Sequence, residues 1–231
     1  LPALLTTVPE GKIRPQGNPR QTRQTRRSHT QSLEANGTWG HHLKPDKTGF
    51  RIGFLNVNGL PVEADNSLHT HITTTLTKNS FDVFGLQEIN LNLKNLTPHQ
   101  QWWRRFKGNL FYTFAAHNEH TNSKERRLFG GTAMFLAKNA TSRLVEHGHD
   151  PTGLGRWTWI KLQGRQRITT RIINGYRPVK DFSNRPGTVY SQHEKQFYSL
   201  GTPQEPRQAY LDDLGGFIQE CMEEGEQIIL G

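Results

Sequence analysis

Between residues 50 and 231 the spacing of apolar positions changes repeatedly, and each change marks an expected element. Phe50 to Val57 is mostly apolar and bounded by turn residues, which predicts a central strand. A helix is expected across Asn66 to Lys78, with Asp65 or Asn66 as N-cap, and a second strand across Asp82 to Leu86. Thr97-Pro98 places proline at the first position of a further helix that runs through Trp102, Trp103 and Phe106. Leu110 to Ala116, Thr132 to Leu136, Arg156 to Leu162 and Ile168 to Tyr176 alternate apolar and polar residues, the pattern of strands with one buried side. Helical spacing returns in Val189 to Leu200 and Ala209 to Met222, and Gln227 to Leu230 begins a last strand. This order predicts an α/β domain with a largely antiparallel sheet and helices on one face. The long connections, His117 to Gly131 with Lys124, Arg126 and Arg127, and Arg177 to Thr188, are where a rigid sheet would carry substrate contacts.

Residues 1 to 49 break the pattern. They are rich in Gln, Thr, Arg, Pro and Gly, without apolar periodicity, and too little surface could be buried there to offset the entropy of ordering. The expectation is a disordered basic tail, 1–49, ahead of a domain at 50–231. Eight Lys or Arg against three acids give the tail +5 of the net charge of +9. A pI near 9.9 favours a polyanionic partner, because each cation that neutralises a phosphate releases a counterion. Charge alone fits a merely soluble basic protein equally well; where the partner is a nucleic acid, the tail suits capture of DNA or RNA.

Cys221 is the single cysteine, so an intrachain disulfide and a cysteine-based zinc site are excluded; it is expected as a half-buried helix thiol. The histidine pairs His69/His71, His117/His120 and His147/His149 lack further ligands at a zinc spacing and are expected at the surface. Trp102-Trp103-Arg104-Arg105 fits a helix that buries one Trp better than a nucleic-acid contact. No apolar run approaches the ~20 residues of a membrane span, and Leu1 to Leu5 is too short for a secretion signal. An intracellular, nuclear protein is expected, and both ends read as cut; the oligomeric state is left open.

The candidate chemistry lies at two strand ends, Leu55-Asn56-Val57-Asn58-Gly59-Leu60 and Phe84-Gly85-Leu86-Gln87-Glu88. Asn58-Gly59 alone is a common turn pair. Its company changes the reading, because a carboxylate placed right after an apolar run needs a cation to meet it. Magnesium, with manganese as the alternative, suits such a site, since it keeps several waters and takes one or two carboxylates together with phosphate oxygens.

Asn56-Val57-Asn58-Gly59-Leu60, Leu86-Gln87-Glu88, Gly130-Gly131-Thr132-Ala133 and Tyr176-Arg177-Pro178, in this order, resemble the exonuclease/endonuclease/phosphatase superfamily. The version most similar is the apurinic-type endonuclease domain of LINE-type retrotransposons, because Asn58 stands where many repair enzymes carry Asp. The resemblance implies the N-terminal portion of a two-sheet, DNase I-like α/β sandwich that hydrolyses DNA phosphodiesters with a metal. It assigns Glu88 to the metal, Asn56 to support of metal and scissile phosphate, and Tyr176 to the phosphate. Asn58, Arg126, Arg127 and Arg177 are the expected substrate contacts.

Gln227-Ile228-Ile229-Leu230-Gly231 resembles the strand that in this family runs into Gly-Asp-x-Asn, with further Asp and Asp-His motifs beyond. Val179 departs from the Asn of many members, and Arg177 is bulkier than the residues often found there. The expectation is an incomplete catalytic set, inactive alone, whose first sheet is left with an uncovered, aggregation-prone inner face. Two other readings stand beside it: a superfamily phosphatase acting on a soluble or lipid phosphate, and a remnant that binds nucleic acid without cleaving.

Overall fold

The computed structural model describes residues 49–63, 67–97, 100, 112–180 and 187–231. The expected tail, the N-cap at Asp65 or Asn66, and the helix from Pro98 through Phe106 lie outside these residues. Eight strands follow in order: β1 (Ile52–Asn56), β2 (Val83–Gln87), β3 (Tyr112–Ala116), β4 (Thr132–Leu136), β5 (Leu144–His149), β6 (Trp157–Gln163), β7 (Thr169–Gly175) and β8 (Gln227–Leu230). The helices are α1 (Ser67–Lys78), the single-turn α2 (Lys138–Thr141), α3 (Val189–Ser199) and α4 (Pro206–Glu223).

The strands form two four-stranded sheets, ordered β1-β2-β4-β3 and β5-β6-β7-β8. The two-sheet α/β sandwich implied by the family resemblance is present; apolar periodicity alone, which predicted one largely antiparallel sheet, does not divide the strands between sheets. Each is mixed, with β1 and β2 parallel in the first and β7 and β8 parallel in the second. Val83, Met134 and Leu136 of the first sheet meet Ile160, Leu162 and Ile172 of the second in one buried cluster. At about 1.5–3 kcal/mol for each fully buried large aliphatic side chain, this contact is a major source of stability. The inner face expected to be bare is covered.

Each sheet also carries a helix on its outer face. Ile72 and Leu76 of α1 pack on Phe84, Leu86 and Phe135; Tyr210 and Leu214 of α4 pack on Trp157 and Ile173. The apolar positions of α1 lie four apart, which puts them on one stripe. Helix α3 begins at an N-cap Thr188 that accepts from the Ser191 N–H, and α4 begins with Pro206 after the Glu205 cap.

Strand β4, read as one-sided, is buried on both faces because it stands inside its sheet with the second sheet on one side and α1 on the other. Strand β5 escaped the sequence reading. Its Glu146, His147 and Gly148 hide the strand signal, and Gly148 is small because a Cβ there would come within 2.5 Å of the Trp159 ring. Three other expectations need correction: Cys221, His69 and His117 are buried rather than half-buried or at the surface.

Polar groups close the end of the sandwich where β5 passes to β6. The Arg156 guanidinium donates to both Asp150 oxygens at 2.6 and 3.1 Å and to Asp213 at 2.8 Å. Burial works against the Asp150 charge, but Arg156 and Thr152 outweigh it and hold the carboxyl below the usual carboxylate range. His193 of α3 lies against this group; burial, assisted by the Arg156 charge and opposed by Asp150, pushes its imidazole down to about 4.

A neutral histidine in the fold and a protonated one in the unfolded chain make stability pH-dependent. The unfolded state binds the extra proton between the ordinary value of 6.5 and the folded value of about 4. Stability is therefore full above that window and falls as pH drops through it. Urea denaturation at both ends of the window should show the loss, and His193→Leu should reduce it; an identical pH slope in the variant would exclude His193 as a source.

Candidate active site

The site begins with the parallel pairing of β1 and β2, whose register sets Asn56 opposite Gln87. Beyond the strands the two chains stay zipped: Gly59 N–H donates to the Glu88 carbonyl at 2.7 Å and Leu60 N–H to that of Ile89 at 2.8 Å. Both segments turn through left-handed backbone, with φ of 48° at Asn58, 102° at Gly59, 52° at Glu88 and 54° at Asn90. Such angles are uncommon for residues other than glycine and tend to mark functional sites.

Asn56 Nδ2 donates to Glu88 Oε1 at 2.9 Å, while its Oδ1 accepts the Asn58 N–H at 3.0 Å. The backbone donor decides which way the amide faces, so nitrogen and not oxygen meets the carboxylate. Asn56, expected as a metal ligand, is thereby placed to orient Glu88.

From the second sheet Tyr176, one residue past β7, hydrogen-bonds through its hydroxyl to Glu88. Its own N–H donates to the Arg156 carbonyl at 2.7 Å, which links it to the buried ion pair. Burial, then the Glu88 charge and hydrogen bond, raises the Tyr176 phenol well above its ordinary value. Tyr176 is thus a protonated donor at physiological pH and not a base.

The remaining expected residues are spread around this centre. Asn58 is exposed on the turn after β1. Arg127 lies over that turn, with its Nη1 3.5 Å from where a Gly59 Cβ would stand. The loop carrying it is tied down by Asn90, whose Oδ1 accepts the Gly130 N–H at 2.7 Å. Arg126 instead faces Glu63 at 3.8 Å across solvent, a pair that contributes little. Arg177 is exposed and acts electrostatically on Tyr210, on the side of α4.

Asn174 was not singled out by the sequence. Fully buried, it reaches from β7 into the first sheet and donates through Nδ2 to the carbonyls of Leu86 at 2.9 Å and Ala133 at 3.0 Å. It stands two residues before Tyr176, and Leu86 stands two before Glu88, so this one amide ties together the strands that carry both. Gly85 makes room for it, since a Cβ there would come within 2.6 Å of the Asn174 Cγ. The available signal was an amide directly after the apolar pair Ile172-Ile173, two positions before Tyr176.

Among the described residues no group of three or more His, Cys, Asp or Glu side chains could hold a metal. Glu88 is half-buried, and no described Lys or Arg pairs with it. A single carboxylate held by an amide and a phenol fits a hard cation that retains water and leaves positions for phosphate oxygens.

A model of the Endonuclease/Exonuclease/phosphatase family matches residues 53–219. No curated protein sequence matches the chain significantly. Among solved structures, the 3'-5' exonuclease from Neisseria meningitidis is similar at 16% identity and a TM-score of 0.47, covering 78% of this chain and 55% of that one. An AP endonuclease from Archaeoglobus fulgidus is similar at 15% identity and a TM-score of 0.40, covering 66% and 49%. An AP endonuclease from Leishmania major gives 13% and 0.43, covering 73% and 58%. The chain spans about half the length of these structures.

Replacing Asn174 by Leu, of similar volume, should destabilise the fold by about 1–3 kcal/mol through loss of both cross-sheet bonds. The measurement is the urea unfolding midpoint, and an unshifted midpoint would show that the amide does not hold the sheets together.

Proposed function

The chain belongs to the endonuclease/exonuclease/phosphatase family, and from that premise we propose that it supplies the Glu88 half of a divalent-metal centre that hydrolyses phosphodiester bonds of DNA. The observation that carries this reading is the convergence of Asn56, Glu88 and Tyr176 from three strands on one carboxylate. Glu88 would hold magnesium, or manganese in its place, and the ion when bound supplies charge to polarise a phosphoryl oxygen. Asn56 holds Glu88 in position. Tyr176, kept protonated, would turn its single O–H donor from Glu88 to a phosphate oxygen once a cation meets the carboxylate, where a positioned donor acts on developing negative charge.

Asn58 and Arg127 on the neighbouring turn would bind the flanking strand, with Arg126 and Arg177 farther out. The basic balance of the chain favours DNA over a soluble or lipid phosphate, and its basic first segment is suited to RNA as well. With DNA as the proposed substrate, the proposed site of action is the nucleus. Asn58 at the turn supports the retroelement type of domain. Among the described residues Glu88 belongs to no group of three or more His, Cys, Asp or Glu side chains. We infer that the 231 residues alone bind metal and phosphate without turning over.

Manganese binding followed by electron paramagnetic resonance tests the centre. Glu88→Gln should abolish the bound ion, and Asn56→Leu should weaken it by about tenfold or more, as losing an outer-shell partner does. Binding that persists in Glu88→Gln would refute the site. Plasmid nicking with magnesium should stay at background, and turnover at catalytic rates would refute the incomplete set.

A further inference from the structure

We propose that the pole of the sandwich opposite Glu88 is a second, non-catalytic surface that binds the phosphate backbone of a nucleic-acid strand through Arg143, Arg165 and Arg167. This pole lies at the far ends of β1, β2, β4 and β6, separated from the Glu88 end by roughly 15 Å of strand at 3.3 Å per residue. An open groove of about 700 Å³ is found there, lined by Phe50, Asn139, Arg143, Gln163, Gly164 and Arg165 among others.

The cations are presented, not merely present. Arg143 stacks over the Phe50 ring at 5.0 Å and donates through Nε to the Gln163 carbonyl at 2.9 Å, so its two terminal amino groups have no described partner. Phe50 is itself 36% exposed, which adds an aromatic surface to the basic one, the combination used to hold single strands. Arg165 and Arg167 project from the β6–β7 hairpin, and no described carboxylate pairs with either.

That hairpin takes consecutive left-handed residues at Gln166, φ 55°, and Arg167, φ 64°. Asn-Gly is the usual choice for such a turn, so a residue that favours the turn has given way to a cation. Among the described lining residues the one carboxylate, Asp82, accepts the Arg51 N–H at 2.8 Å.

The chain enters this groove at Gly49, directly after a segment with eight Lys or Arg against three acids. The arginines at the groove suit an anionic strand as its occupant.

Fluorescence anisotropy of the full chain with a short labelled single-stranded DNA, and with RNA of the same sequence, tests this in EDTA across a salt series. Without divalent metal the result is independent of the Glu88 reading. Arg143→Gln/Arg165→Gln/Arg167→Gln should reduce the slope of log affinity against log salt by about 2, at ~0.7 per phosphate contact, equally for DNA and RNA. The exposed pair Arg165→Gln/Arg167→Gln alone should reduce it by about 1. Lys180→Gln/Lys195→Gln, two exposed cations elsewhere, should reduce it less than that pair. An unchanged slope in the triple variant, an equal loss in the Lys control, or a loss confined to one of the two nucleic acids would overturn the proposal.

Discussion

The Glu88 carboxylate stands where two sheets meet, gripped by the Asn56 amide from β1 and the Tyr176 hydroxyl from the end of β7. A negative charge half-removed from water has to be met by donors, and here the donors come from opposite sheets. The spacing of the sheets therefore sets whether Tyr176 can reach Glu88. Any slack in the sandwich would open the site, which makes sheet packing a requirement of the chemistry as well as of stability.

Three features hold that spacing. The apolar cluster around Met134 and Ile172 supplies non-directional attraction between the faces. Asn174 adds direction, because its amide must find the Leu86 and Ala133 carbonyls on β2 and β4. Behind Tyr176, the buried Arg156 is bound to Asp150 and Asp213, and its carbonyl receives the Tyr176 N–H. A buried pair of this kind is weak evidence for stability, since desolvation consumes most of the Coulomb gain, but it leaves few alternative positions for the groups attached to it. The two ends of the sandwich then differ: one converges on a carboxylate, and the other carries an open groove with Arg143 and Arg165, neither paired with a described carboxylate.

Much of this could be read along the chain. Strands over Val83–Gln87, Thr132–Leu136 and Gln227–Leu230, and helices over Val189–Ser199 and Pro206–Glu223, fall within a few residues of the apolar periods that announced them. Strand β5 did not announce itself, because an exposed strand with Glu146, His147 and Gly148 has no buried side to impose alternation. Strand β4 was recognised but misread as one-sided; short alternation cannot report that a helix covers the second face. His69 and His117 looked like surface histidines because burial of an imidazole leaves no mark in local sequence.

What the sequence determined was local: the identity of the strand-end residues Asn56, Glu88 and Tyr176, the turn at Asn58-Gly59 and the excess of positive charge. Tertiary structure decided what these residues face. The amide of Asn56 meets Glu88 with nitrogen because a backbone N–H two residues on takes its oxygen, and Arg126 turns to Glu63 while Arg127 covers the turn. Asn174 acquires its role only because another sheet lies within reach of its side chain. Period and composition are properties of neighbours in sequence, whereas a hydrogen bond between residues 88 positions apart exists only after the chain has folded.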